Sequence, residues 1–244
     1  MRIARIDTPD GSKTGEYLNG RVETDSGETF TVGETATLLP PCTPSTLYCA
    51  GRNYRDYLEH KGNEQPETPH FFLKPPAALL AADKPIPYPI FADGVGYAGE
   101  LAAVIGSMCR QVTPDDALKY VHGYTILNDL DAPGQEGAKK KVFEASAPLG
   151  PWIETDLDPR DLALQTTVGG EVRQDGTTAE MLFSPSRIVS FLSHRITLRP
   201  GDVIAFGSPA NPGEVSPGDT IEIWYEGIGT LRNDLAQPEP GESW

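Results

Sequence analysis

The stretch Gly94-Val95-Gly96-Tyr97-Ala98-Gly99-Glu100-Leu101-Ala102-Ala103-Val104-Ile105-Gly106 reads as a strand that must be covered on both sides. Side chains alternate across a strand, so Leu101, Ala103 and Ile105 share one face while Ala98, Glu100, Ala102 and Val104 share the other. Both faces are apolar except for one acid. An ionised carboxylate among small apolar side chains is costly unless a cation or several donors compensate it, or unless it stays protonated. Glu100 therefore predicts a positive partner. The plainer alternatives are a structural bridge to an arginine or lysine, or a place where the strand emerges into water.

A second acid extends the argument. Tyr124-Thr125-Ile126-Leu127-Asn128-Asp129 reads as another short strand ending in a carboxylate, and Lys141 follows within Lys139-Lys140-Lys141-Val142-Phe143. Two acids and a lysine can then converge on one site. Hard divalent cations take oxygen ligands, often a few carboxylates with water and substrate completing the shell. Against this, Asp129 has the alternative reading of a turn-capping acid, and the lysine run that of a solvated basic face.

A length of 244 residues allows one large domain, or a small one plus a larger one. The formal net charge of -15 argues against nucleic acid or an anionic membrane as a partner. Its excess of acids predicts a surface suited to high salt, where screening relieves self-repulsion. Cys42, Cys49 and Cys109 form no CxxC pair, so neither a disulfide framework nor a zinc site is expected, and a reduced cytoplasm fits. No apolar stretch is long enough to span a membrane.

Arg2 to Ile6, Glu16 to Glu23 and Thr29 to Val32, with a turn at Asp25-Ser26-Gly27, predict a small β unit over residues 1–45. Pro40-Pro41-Cys42-Thr43-Pro44 reads as a stiff linker into a main domain of residues 46–244. Arg55 to His60 predicts a helical turn, followed by a polar, lid-like segment from Gly62 to Pro69. Thr113-Pro114 and Ser184-Pro185 open two helices, the second with Ile188, Phe191 and Leu192 as its buried stripe and His194 at its end. Val203 to Phe206 and Thr220 to Tyr225 are the clearest later strands, and the tail from Gln237 to Trp244 reads as loose. Helices and strands do not alternate regularly, so the fold class is α+β.

Several ordered motifs carry a resemblance. Gly51-Arg52-Asn53-Tyr54-Arg55-Asp56, Phe72-Leu73-Lys74-Pro75-Pro76, Tyr97 to Gly106, Gly123 to Asp129, Pro148-Leu149-Gly150-Pro151-Trp152, Pro200-Gly201-Asp202 and Gly227 to Asn233 together resemble the fumarylacetoacetate hydrolase family. The resemblance implies a mixed β-roll behind a small N-terminal β domain, and a homodimer. It also implies a divalent-metal enzyme acting on a small 2-oxo or diketo acid by C–C hydrolysis, decarboxylation, isomerisation or dehydration. Glu100 and Asp129 would hold Mg2+ or Mn2+, with Ca2+ as a further candidate, and Lys141 would stabilise developing negative charge. Lys74, Thr178 and Ser208 fall at substrate-binding positions. His60 stands three positions from Tyr57, which occupies the usual place of a catalytic histidine, and is the candidate proton carrier.

The departures are as specific as the matches. Ala98 replaces one of two paired metal-binding glutamates, which weakens the expected metal site, and Ala132-Pro133-Gly134 replaces a run that carries an arginine. Two further readings follow: a metal-free relative in which Lys74 and Lys141 do the electrostatic work, and a catalytically silent subunit that keeps the fold.

Overall fold

The computed structural model describes residues 1–237. The first third of the chain contributes β1 (Arg2–Thr8), β2 (Gly11–Leu18), β3 (Arg21–Thr24), β4 (Thr29–Thr31), β5 (Thr37–Leu38), β6 (Leu47–Gly51), α1 (Arg55–Lys61), β7 (His70–Lys74) and β8 (Leu79–Leu80). The middle contributes β9 (Val95–Tyr97), β10 (Gly99–Ile105), α2 (Pro114–Ala117), β11 (Val121–Asn128) and β12 (Ala147–Glu154). The last third adds β13 (Ala163–Val168), β14 (Glu171–Thr177), α3 (Pro185–Ser193), β15 (Val203–Ala205), β16 (Gly213–Val215), β17 (Thr220–Tyr225) and β18 (Gly229–Asp234).

Strand dominates, and the main sheet runs β4-β3-β2-β1-β12-β11-β10-β15-β6-β7 with β5 on β1 and β8 on β12. It is mixed, since β15 pairs with β6 and β12 with β8 in parallel while its other pairs are antiparallel. A second, four-stranded sheet has the order β14-β13-β17-β18, and β16 pairs with β9 as a ribbon. Among the described residues, no helix is long and apolar enough to cross a membrane.

β10 lies near the middle of the main sheet, and every residue from Gly99 to Ile105 is buried. Leu101, Ala103 and Ile105 enter one core with Ile223 and Tyr225 of the second sheet and with Ile188 and Leu192 of α3. Ala102 and Val104 enter another, with Leu127, Leu149, Val203 and Ala205. Alternation thus separates the two cores at each strand, as the sequence pattern requires.

Three expectations change at the level of local structure. Glu16 to Glu23 is not one strand: Asn19 (φ 49°) and Gly20 (φ 82°) form a two-residue connection that pairs Leu18 with Arg21. Positive φ at both central residues matches the twist of a tight hairpin, and an Asn-Gly step supplies it at low cost. The N-terminal strands also do not form a sheet of their own, because β1 pairs with β12 through Arg2↔Glu154 and Ile3↔Ile153. At α2 the Thr113 hydroxyl donates to Asp116 Oδ2 (3.1 Å) instead of capping the backbone, and the helix lasts four residues. Ser184 does cap α3, accepting from the Arg187 N–H. Most of the tail expected to be loose lies outside the described residues, but Gln237 Nε2 donates to the Pro217 carbonyl.

Gly99 lets the second sheet close on β10. A Cβ there would stand 2.6 Å from Thr166 Oγ1 and 2.7 Å from Ile223 Cγ2, inside contact distance. Gly99→Ala should therefore cost about 1–3 kcal/mol of stability through overpacking. Urea denaturation monitored by tryptophan fluorescence checks this, and an unchanged midpoint would count against it.

Candidate active site

A cleft of about 570 Å³ opens where β9, β10 and the segment after β11 meet the Gly207-Ser208 turn. Glu100 and Asp129 both face it. Register brings them together: Gly99 pairs with Asn128 and Glu100 with Leu127, and the Asp129 N–H donates to the Ala98 carbonyl (2.9 Å). The two carboxylates therefore leave neighbouring strands on the same face, Asp129 opposite Ala98 and one diagonal step from Glu100.

Their environments differ. Glu100 is 3 % exposed, and its Oε2 accepts from the Gly207 N–H at 3.0 Å. The expected positive partner is thus a backbone donor, and the cations go elsewhere. Burial, and next the charge of Asp129, push the Glu100 carboxyl well above the ordinary range, which favours its protonated form. Gly207 is required for this contact: its φ is +87°, and a Cβ would meet Asn53 Cβ at 3.1 Å.

Asp129 receives both lysines. Lys74 Nζ lies 3.0 Å from Oδ1 and Lys141 Nζ 2.6 Å from Oδ2. Burial works to raise the Asp129 carboxyl, but the two ammonium charges and the Lys141 hydrogen bond outweigh it and hold Asp129 ionised. For Lys141 burial works to lower the ammonium, but the charge and hydrogen bond of Asp129 together with Asp131 and Glu100 outweigh it and raise it. Lys74 is 1 % exposed and also donates to the Leu130 carbonyl (2.7 Å) and the Ser146 carbonyl (2.6 Å). Two of the three N–H groups of the ammonium are thus committed to carbonyls, while Asp129 Oδ1 meets the Lys74 charge without accepting a hydrogen bond.

These placements correct part of the sequence reading. Lys74, expected at a substrate position, is buried off the cleft lining and sits behind Asp129 as its counter-ion. Thr178 is buried away from the cleft lining, where its hydroxyl accepts from the Leu162 N–H (2.8 Å). His60 is exposed on α1 and does not line the cleft, whereas Tyr57, one turn earlier, does. Ser208 and Lys141 do line it. The residues missed are Arg52, His70, Asp131 and Lys140, all of which face the cleft. Parity was the available signal for two of them. His70, Phe72 and Lys74 share one face of β7, and Asp131 follows Asp129 by two positions. Asp131 is locked by paired backbone hydrogen bonds to Gly96 (2.9 and 3.0 Å) and takes Lys140 Nζ at 3.1 Å.

Among the described residues, no three His, Cys, Asp or Glu side chains gather in a way that would hold a metal ion. Two do converge, and they are hard oxygen donors. The pressure on Glu100 to stay protonated is what a cation between two carboxylates would relieve. The residues therefore fit an ion held by two carboxylates, with water and substrate oxygens completing its shell. They do not supply the third carboxylate that Ala98 lacks.

Comparison with known proteins places this geometry. A family model for the fumarylacetoacetate (FAA) hydrolase C-terminal region matches residues 46–236. The structure is similar to that of 5-carboxymethyl-2-hydroxymuconate delta-isomerase from Mycobacterium smegmatis, with a TM-score of 0.89 and 38% identity, covering 98% of this chain and 100% of that one. It is also similar to maleylpyruvate hydrolase from Sphingobium sp. SYK-6, solved in complex with manganese(II) ion and pyruvate, with a TM-score of 0.84 and 26% identity over 98% and 100% of the two chains. The 4-hydroxyphenylacetate degradation bifunctional isomerase/decarboxylase of Salmonella dublin is 35% identical over 82% of this chain, which spans about half (49%) of that protein.

Two outcomes follow from the charge arrangement. Lys74→Met should destabilise the fold by about 3–5 kcal/mol, since it removes one partner of a buried ion pair and orphans two carbonyls; denaturant unfolding reads this directly. Glu100 binds its proton more tightly folded than unfolded, so in metal-free protein its contribution to stability falls as pH rises from its unfolded value near ~4.3. Glu100→Gln removes that loss. The stability difference in favour of the variant should widen as pH rises above the ordinary carboxylate range in unfolding series without metal, and a constant difference would contradict the assignment.

Proposed function

Since the chain belongs to the fumarylacetoacetate hydrolase family, we propose that it is an enzyme of small 2-oxo or diketo acids, using a cleft that stabilises an enolate as the neighbouring bond breaks. The observation that carries the reading is the pair of buried carboxylates on one cleft, one compensated by two lysines and the other uncompensated. Relatives are named as isomerase, decarboxylase and hydrolase, and stabilisation of an enolate is one chemistry that can serve all three.

In this reading Glu100 and Asp129 would hold Mg2+ or Mn2+ weakly, and the chemistry supplied there would be Lewis-acid polarisation of an oxo group. Lys141, held at Asp129 and lining the cleft, adds a fixed positive charge beside the developing anion. Ser208 offers a hydroxyl donor to the substrate carboxylate. His70 is the imidazole on the cleft and the better placed proton carrier, with Tyr57 beside it on the lining.

A second reading, a silent subunit that keeps the fold, is favoured by one feature, the absence of three ligating side chains among the described residues.

Calorimetric titration with manganese should show weak binding that pyruvate tightens, that Asp129→Asn abolishes and that Ala98→Glu strengthens by restoring a carboxylate on the same strand face. Rate assays on oxaloacetate and acylpyruvates then separate the two readings. In an active protein His70→Ala should cost about a hundredfold or more in turnover, the usual reach of general acid-base catalysis, while His60→Ala leaves it near parental. The reverse pattern would return the role to His60, and no turnover of any oxo acid would favour the silent subunit.

A further inference from the structure

The edge strand β14 carries an inverted pattern. Its one aliphatic residue, Val172, is 53 % exposed, whereas Gln174 is fully buried. Residues two apart in a regular strand share a face, so one of these two is out of step. Register accounts for it: Thr166 pairs with Gln174 and Thr167 with Val172, which leaves Arg173 as an extra residue in β14. A bulge of this kind re-aims the side chain beside it, and here it turns an amide inward. A buried amide is costly unless its donors and its acceptor are used.

They are used, and at the candidate site. Gln174 Oε1 accepts from the N–H of Gly99, the residue before Glu100, at 3.1 Å. Its Nε2 donates to the Pro209 carbonyl (3.1 Å) and the Ala210 carbonyl (3.4 Å). The opposite amide orientation would set donor against donor and acceptor against acceptor, so the network fixes this one. Gly207 to Ala210 is the turn whose first N–H donates to Glu100 Oε2 and whose Ser208 lines the cleft. β14 lies close against that turn, since a Cβ at Gly176 would stand 3.3 Å from Pro209 Cβ. One side chain of the second sheet thus ties the backbone just before the carboxylate to the loop that grips its oxygen.

We propose that Gln174 is a positioning residue for Glu100, one that sets the spacing between β10 and the Gly207 turn and thereby how the carboxylate is presented to a cation. The inference rests on the metal-assisted reading above and deepens it by naming a residue, off the cleft lining, that sets the geometry of that site. Asp56 holds the same turn at the Ala210 N–H (2.7 Å), but it does so from α1. Gln174 spans the turn and β10 together.

The test pairs Gln174→Met with Asn233→Ala. Asn233 is likewise a buried amide that donates to two carbonyls, those of Ala81 (2.9 Å) and Lys84 (2.8 Å), and it lies off the cleft, so its loss removes comparable bonds and leaves the turn alone. The first readout is amide hydrogen exchange by nuclear magnetic resonance in metal-free protein. Gln174→Met should speed exchange of the Gly207 N–H about tenfold, the contribution of two neutral hydrogen bonds, while Asn233→Ala leaves it at the parental rate. The second readout is manganese affinity by calorimetry, which Gln174→Met should weaken about tenfold and Asn233→Ala should leave unchanged. Parental exchange at Gly207 in Gln174→Met, or equal effects of the two variants, overturns the inference whatever the manganese result. Faster exchange with parental manganese affinity confines Gln174 to the scaffold and overturns it as well. Failure of the parent to bind manganese overturns the metal reading, and exchange at Gly207 still decides whether Gln174 holds the turn against Glu100. Should Gln174→Met not fold, the parent itself decides: magnesium should slow exchange of the Gly207 N–H and of the Gln174 side-chain amide together, and protection of one without the other overturns the inference.

Discussion

The buried contact between Asp129 and its two lysines organises this site. A carboxylate 5 % exposed, in a sheet whose neighbours are leucine, alanine and valine, stays ionised only because Lys74 and Lys141 approach it from opposite oxygens. Lys74 does this from inside the protein and reaches two backbone carbonyls as well, which ties β7 to the segments around Leu130 and Ser146. Lys141 does it from the cleft. The same carboxylate is therefore structural on one side and chemical on the other. Its charge also acts on Glu100, whose carboxyl is pushed up first by burial and then by Asp129.

The scaffold that permits this closeness is made largely of small residues and backbone. Gly96 leaves room for Asp131, Gly99 for the second sheet, and Gly207 for the approach of its N–H to Glu100. Asn53 fastens the Phe206 carbonyl, and the Asp56 carboxylate accepts from the Ala210 N–H at 2.7 Å. The Gly207 turn is thus held from the α1 side as well as from β10. Any shift of α1 would be felt at Glu100 through this turn. Such coupling needs no long pathway, only two hydrogen bonds on one short loop.

Much of the strand pattern was readable from the sequence, because alternation is a local property. The split of β10 into Leu101, Ala103 and Ile105 on one side and Ala102 and Val104 on the other holds in the two cores. The bounds of β17, Thr220–Tyr225, match the apolar run that announces it. The Asn19-Gly20 hairpin is also local, but the alternation on either side masks the turn in the sequence. What could not be read is contact across long separations. Glu100 and Gly207 stand 107 residues apart, and Lys74 and Ser146 stand 72 apart. No spacing in the sequence says that Lys74 turns inward to carbonyls while Lys141 turns to the cleft. His60 and His70 illustrate the same limit: the motif drew attention to the helix, whereas the pairing of Gly51 with His70 brings the second imidazole to the cleft.

The electrostatics of the whole chain and of the cleft pull in opposite directions. A net charge of -15 repels small organic anions at long range, and the repulsion weakens only as salt shortens the screening length. Inside the cleft, Lys140 and Lys141 balance Asp131 and Asp129, Arg52 adds a cation, and burial favours the protonated form of Glu100, so the lining is less negative than the chain as a whole. An anionic ligand that reaches the mouth then meets cations at distances far below a Debye length, where screening has little effect. Salt therefore acts on the approach more than on the bound state. Rising ionic strength should speed entry to the cleft while leaving the short contacts around Asp129 nearly as strong, which is the balance expected of a binding site built into an acidic surface.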